Sequence, residues 1–231
     1  MKMPLGVLFL GQPLFWLSAA LVCIALESVP CFDAFTQQIF FRHDEWYISK
    51  AFHNSHRYLF YTGPKVMIGW IGAAFFVLWG ATFIPRLDLT LRQWRKPALC
   101  IFLCLVLIPL VVSTLKGLTG VYSPRDLIPY GGKHQHTGFL GHLYTYGTVD
   151  SGRSFPAGHA SGGFALMALY LLPVRKGAKK LLLCLGLLAG WGMGIYQIAR
   201  GEHFLSHTLT TMFLALAIVT FLKKTLYLPS K

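Results

Sequence analysis

The sequence predicts an all-α integral membrane protein, a bundle of six transmembrane helices. Three observations carry this. The chain is 55% hydrophobic with a mean hydropathy of +0.54 and only 13% charged residues, where a soluble domain holds about 25% charge. Six long apolar segments recur at roughly 5–26, 60–84, 97–115, 157–174, 181–199 and 204–222. The cations between them fall on alternate connections. No Gly/Ser/Pro-rich linker, low-complexity tract or internal repeat divides the chain, so residues 1–231 read as a single domain.

A spanning helix needs about 20 mostly apolar residues. All six segments qualify, the fourth and sixth narrowly. The first follows a weakly basic Met1-Lys2 start that a secretory signal would share. Its length, and the lack of a small-residue cleavage pattern, favour a retained helix. Four of the five cysteines (Cys23, Cys100, Cys104, Cys184) lie in apolar stretches, where the thiol behaves as a small hydrophobe. Cys31 lies just outside one, and no disulfide framework is suggested.

Lys and Arg set the orientation. The N-terminus, loops 85–96 and 175–180, and the C-terminus together hold twelve cations and one acid, Asp88. The other connections share nine cations and seven acids. This split predicts cytoplasmic termini, with the first, third and fifth connections on the opposite side. The net charge of +13 is then mainly a topology signal. Nucleic-acid binding is a poor explanation for it, whereas cationic rims would meet anionic lipid headgroups.

All nine histidines fall on the outward side or at its membrane edge. His43, His53, His56, His134, His136 and His142 read as solvated loop polarity. His159, His203 and His207 abut apolar helices, where burying a polar group is costly.

Three stretches combine chemistry with position. In "SFPAGHASGG" (154–163), Pro156 suits a helix start. Ala157 and Gly158 allow close approach to a backbone whose first N–H groups form an anion site. His159 in that first turn could pass a proton to a bound group. A Pro-initiated helix with an interfacial His is the equally open alternative. In "QIARGEHFLSH" (197–207), a spacing of about 100° per residue puts Arg200, His203 and His207 on one helical face. Gln197 lies at its edge and Glu202 points away. Arg suits phosphate through its bidentate fork. Interfacial snorkelling is one alternative. A metal pair at His203 and His207 is another, for which no third ligand is evident. In "KGLTGVYSPRDLIPYGG" (116–132), Lys116 ends an apolar segment and Arg125 follows in a turn-rich loop. Cations, a helix start bearing one His, and a second His behind an Arg form a parts list for phosphoryl transfer through a phosphohistidine.

On these residues the sequence resembles the membrane branch of the type 2 phosphatidic-acid phosphatase superfamily, related to vanadium haloperoxidases. The family motifs are Lys, six residues, Arg-Pro; Pro-Ser-Gly-His; and Ser-Arg, five residues, His, three residues, Asp. Here the first runs from Lys116 to Ser123-Pro124-Arg125, with the Arg displaced one place beyond the Pro. The second reads Pro156-Ala157-Gly158-His159. In the third, His203 holds the nucleophile's place, Gln197 the Arg's and His207 the Asp's. The resemblance covers nearly the whole chain except 27–59.

The resemblance implies a bacterial lipid phosphatase of the inner membrane, with its site, formed by 116–159 and 197–207, facing the periplasm. The substrate would be an anionic phospholipid or lipid-linked phosphate, such as phosphatidic acid, phosphatidylglycerophosphate, a polyprenyl diphosphate or lipid A. Lys116, Arg125, Arg200 and the backbone at Ala157 and Gly158 would hold the phosphate. His203 would attack, His159 would protonate the leaving oxygen, and no cofactor or metal would be required. His207 can fix the tautomer of His203 but offers no carboxylate, unless Asp126 or Asp150 supplies one. A phosphotransferase would use the same site. A non-catalytic anion-binding or transport protein is the third reading, but it would need polar residues deep in several helices, and few occur beyond Ser113 and Thr114.

Overall fold

A computed structural model describes residues 12–84, 89–144 and 152–227. The first seven residues of the first apolar segment, loop residues Arg86 and Asp88, Asp150, Lys2 and Lys231 lie outside them, as does the side chain of His142. The described chain is 78% helical, with one two-stranded ribbon.

Helix α1 (Pro13–Glu27) begins with Pro at its first turn, where the missing N–H costs nothing. Val29 is extended before Pro30, as a residue preceding proline prefers. The chain therefore turns by 79° into α2 (Pro30–Phe40). A two-stranded ribbon follows, β1 (Phe41–Arg42) and β2 (Glu45–Trp46), closed by His43 and Asp44 at φ 53° and 61°. Two left-handed residues in a two-residue hairpin match the right-handed twist of the strands.

Helix α3 (Lys50–Arg57) is capped by Ser49, whose hydroxyl accepts the Phe52 N–H at 3.2 Å. It passes through a π-type turn (Tyr58–Thr62) into α4 (Gly63–Ala81). The widening has a local cause: Pro64 has no N–H to give and its ring crowds the preceding turn, so the Gly63 N–H reaches back to Tyr58. Helix α5 (Arg95–Thr119) ends at Gly120, φ 68°. After 3-10 turns at Pro124–Asp126 and Ile128–Tyr130 come α6 (Gly138–Tyr144), α7 (Gly158–Ala165), α8 (Lys176–Ile198) and α9 (Leu205–Leu222).

Among the described residues, four helices are long and apolar enough to cross a membrane: Lys50–Ala81, Leu91–Asp126, Lys176–Ile198 and Leu205–Leu226. The bent α1–α2 pair makes a fifth if it counts as one span. The fourth predicted segment, 157–174, differs from its expectation. It forms the eight residues of α7 and a six-residue 3-10 extension, Leu166–Leu171. Both are wedged in the bundle centre, where Ala160, Phe164, Ala165, Met167 and Ala168 are fully buried.

Glycine makes that wedge possible. Gly186, Gly190 and Gly194 line one face of α8, and a Cβ on them would collide with Met167, Phe164 and Thr208 respectively. Small residues at four-residue spacing let membrane helices approach to backbone contact. The core continues on α5, where Cys100, Ile101, Cys104 and Ile108 are inaccessible. The perimeter is the reverse: Leu14, Phe15, Val66, Trp70, Val77, Leu181 and Leu188 are exposed. Such a rim is unfavourable in water and suited to lipid.

Candidate active site

Four chain ends meet at one end of the bundle: the start of the α3–α4 span, the end of α5, the start of α7 and the α8–α9 turn. They enclose a cavity of about 180 Å³. Lys116, His159, Arg200 and His203 line it, with Gln197, and so do His53, Arg57, Tyr61 and Glu202. Three permanent cations facing one carboxylate leave a net positive, partly desolvated space that attracts anions.

The α8–α9 turn corrects one expectation. Arg200, His203 and His207 do not share a helical face, because α8 stops at Ile198 and α9 starts at Leu205. Gly201 at φ 72° reverses the chain, with Gly201 N–H donating to the Ile198 carbonyl (2.9 Å) and Glu202 N–H to Gln197 (3.0 Å). This pair of bonds is a Schellman-type end, which takes glycine at the left-handed position. The reversal carries Glu202 into the cavity, where its Oε1 accepts from Arg125 Nη1 (2.5 Å) and Arg200 Nη2 (3.1 Å).

Residues from the N-terminal third hold this turn. Ile48 N–H donates to the Ala199 carbonyl (3.0 Å) and Gln37 Nε2 to the His203 carbonyl (3.1 Å). Asp33 accepts the Ser206 N–H (3.0 Å) and hydroxyl (2.5 Å), capping α9. Trp46 packs where a Cβ on Gly201 would stand.

His203 is 2% exposed. Burial, followed by the charges of Lys116, His207 and His159, holds its imidazole well below the ordinary range, so it is a free base at neutral pH. Its Nδ1 lies 3.2 Å from Ser154 Oγ, which donates its own proton to the Glu202 carbonyl at 2.6 Å. With that proton committed, the oxygen can only accept from Nδ1–H. The tautomer that results leaves Nε2 with its lone pair. His159 packs against Tyr61 with the ring centroids 4.0 Å apart and the planes tilted by 46°, and its buried Nε2 has no hydrogen-bond partner among the described residues. Burial and the nearby Lys65, Lys116 and Arg200 push its pKa down to about 3. Gly158 beside it keeps the helix start open: a Cβ there would lie 3.8 Å from Lys116 Nζ.

The structure thus brings together Lys116, Gly158, His159, Arg200 and His203, and sets three predicted residues apart. Arg125 stands behind Glu202 and reaches the cavity only through it. The Ala157 N–H is taken by the His207 carbonyl at 3.3 Å and is not open to a ligand. His207 is fully buried, with its Nδ1 3.4 Å from Ser154 Oγ; that hydroxyl stands between it and His203. Asp126, a possible partner for His203, is hydrogen-bonded by Ser123 instead.

Sequence reasoning missed Arg57, His53, Tyr61 and Ser154, and misplaced Glu202. His53 is 7% exposed and bonds Tyr196 Oη at 2.9 Å, and His136 faces the buried Glu27, so neither is solvated loop polarity. Only Ser154 carried a signal, two residues before Pro156. Among the described residues, no three His, Cys, Asp or Glu side chains converge to hold a metal ion.

Fold and site define a helical protein, with helices of membrane-spanning length, whose cationic pocket is lined by three imidazoles, those of His53, His159 and His203. A model of the PAP2 superfamily matches residues 97–228, more than half of the chain, and the chain belongs to that superfamily. Members are phosphatases, which supports a general phosphoric-ester hydrolase role. No curated protein and no solved structure matches the chain.

Proposed function

We propose that this protein is a membrane lipid phosphatase that works through a phosphohistidine. One observation carries the reading: Lys116, Arg200, His159 and His203 surround a single pocket, with the tautomer of His203 set by Ser154. Lys116, Arg200 and Arg57 would bind the phosphoryl oxygens, with Glu202 as the counter-ion of Arg200. His203 Nε2 attacks phosphorus in line while the ester P–O bond breaks. The leaving oxygen takes a proton from His159. Water then attacks the phosphohistidine, loses its proton to His159 and regenerates His203.

The same charges that depress His159 explain how it becomes an acid. A bound phosphate dianion offsets Lys116, Arg200 and Lys65 and raises the affinity of His159 for a proton.

The lipid part of the reading rests on apolar space. A second cavity of about 310 Å³ shares His159 with the first and continues past Ile68, Leu105 and Met193 between α4, α5, α7 and α8. A third, about 280 Å³, shares Ile68 and Met193 and opens along Phe60, Met67 and Leu188. A headgroup at His203 would leave its chains on this path. The test is phosphate release in mixed micelles from phosphatidic acid, phosphatidylglycerophosphate, a polyprenyl diphosphate and lipid A. The expected result is turnover of at least one that disappears in His203→Ala. Equal turnover of a water-soluble monoester with no tail would refute the lipid assignment.

A further inference from the structure

Behind Ser154 lies a second polar pair that the proposed chemistry leaves unused. Glu27 ends α1 and is completely buried. Its Oε2 accepts the Phe139 N–H at 2.6 Å, while its Oε1 has no hydrogen-bond partner among the described residues. The buried Nε2 of His207 has none either, and the two atoms lie 3.9 Å apart. His136 Nε2 stands 3.8 Å from the same oxygen. A buried carboxylate is costly unless it is paired, so the favoured tautomer of His207 is the one that carries its proton on Nε2, toward Glu27. Its Nδ1 is then an acceptor, 3.4 Å from Ser154 Oγ.

We propose that Glu27 and His207, acting through Ser154, are positioning residues that supply negative charge to His203. This rests on the phosphatase reading above. Once the Ser154 hydroxyl turns from the Glu202 carbonyl, the donors run one way: His203 Nδ1–H to Ser154 Oγ and the Ser154 hydroxyl to His207 Nδ1, while His207 Nε2 faces Glu27 Oε1 at 3.9 Å, an electrostatic contact longer than a hydrogen bond. The hydroxyl has two acceptors within reach, the Glu202 carbonyl and His207 Nδ1. As Nε2 of His203 takes the phosphoryl group, its ring becomes cationic and Nδ1–H donates more strongly. Rotation of the Ser154 hydroxyl onto His207 completes a polarised path to the buried carboxylate. No proton leaves the chain and no further group is consumed. Glu27 lies outside the matched span, so this charge comes from a part of the chain that the family pattern does not cover.

The test measures turnover and tautomer separately in full-length protein in lipid vesicles. Glu27→Gln keeps the shape and removes the charge. It should lower kcat about tenfold with KM little changed, and Ser154→Ala should lower kcat about 100-fold, as loss of a histidine's orienting partner does. Solid-state 15N spectra of histidine-labelled protein, with His203→Gln to assign the signal, should show Nδ1–H in the wild type and a mixed population in Ser154→Ala. Glu27→Gln should shift the His207 signal. A Glu27→Gln enzyme with unchanged kcat and an unchanged His207 signal would overturn the proposal. If the wild type releases no phosphate from any ester, the phosphatase reading fails, and the two spectral responses still decide whether the relay exists.

Discussion

Replacing Arg200 should cost far more than replacing Gln197, although the family pattern puts its arginine where Gln197 stands. Arg200 is 8% exposed and lines the cavity. Its Nη1 donates to Gln197 Oε1 at 2.8 Å, and Nη2 to Glu202 at 3.1 Å. The two residues therefore have unequal roles: Arg200 carries the charge and Gln197 orients it. Losing one preorganised donor to a transition-state oxyanion costs about 2–4 kcal/mol, which is roughly 30- to 1000-fold in kcat. Losing one neutral orienting hydrogen bond costs about 1 kcal/mol, or roughly fivefold. Arg200→Lys keeps the charge but not the fork, and should fall between them. The assay is phosphate release in mixed micelles at matched protein levels. If Gln197→Ala is as damaging as Arg200→Ala, the charge does not act from Arg200 and this division of roles is wrong.

Three further outcomes are expected. His203→Ala should be inactive on every substrate, while His159→Ala should still form a phosphoenzyme from an aryl phosphate whose leaving group needs no proton; phosphohistidine trapped in His203→Ala would transfer the nucleophile's role to another residue. The depressed pKa values of His203 and His159 mean that the unfolded chain, with His near 6.5, binds protons the folded chain does not. Stability should therefore hold above about pH 6.5 and fall below it, by up to about 1.4 kcal/mol per pH unit for each group. Thermal unfolding in detergent from pH 7.5 to 5 checks this: a midpoint that rises on acidification, or a fall not lessened by His203→Gln, would contradict it. Finally, the Lys and Arg clusters near Arg95, Lys176 and Lys223 lie at the opposite ends of the spans from the site, so a reporter fused after residue 231 should be active only in the cytoplasm. Activity only on the external side would reverse the orientation.

Much of the site was legible because a membrane makes polar residues conspicuous. Lys116, His159, Arg200 and His203 each border an apolar run, where an ionisable group is expensive and therefore informative. The error came where the chain departed from helical periodicity. A spacing of 100° per residue holds only inside a helix, and Gly201 ends one. Arg200 and His203 still meet in the cavity, but through a turn, and Glu202 joins them. The fourth segment was misjudged for a related reason: apolar composition signals burial, whether against lipid or against other helices. Phe164 and Met167 are buried by protein.

By itself, the sequence determined the helical class with apolar helices of membrane-spanning length, the alternation of cationic connections and four polar residues that line the candidate site. Each of these follows from composition or local spacing, since the bilayer acts on every segment separately. Only the tertiary structure decided the rest. Arg57 entered the cavity because the α3–α4 span packs its start beside α8. Ser154 came to His203 across 49 positions, and Asp33 to Ser206 across 173. Glu27 lies beside His207 because α1 packs along α9. Contacts between distant residues are set by which helical faces fit one another, and that complementarity is a property of the packed bundle, absent from any short stretch of chain.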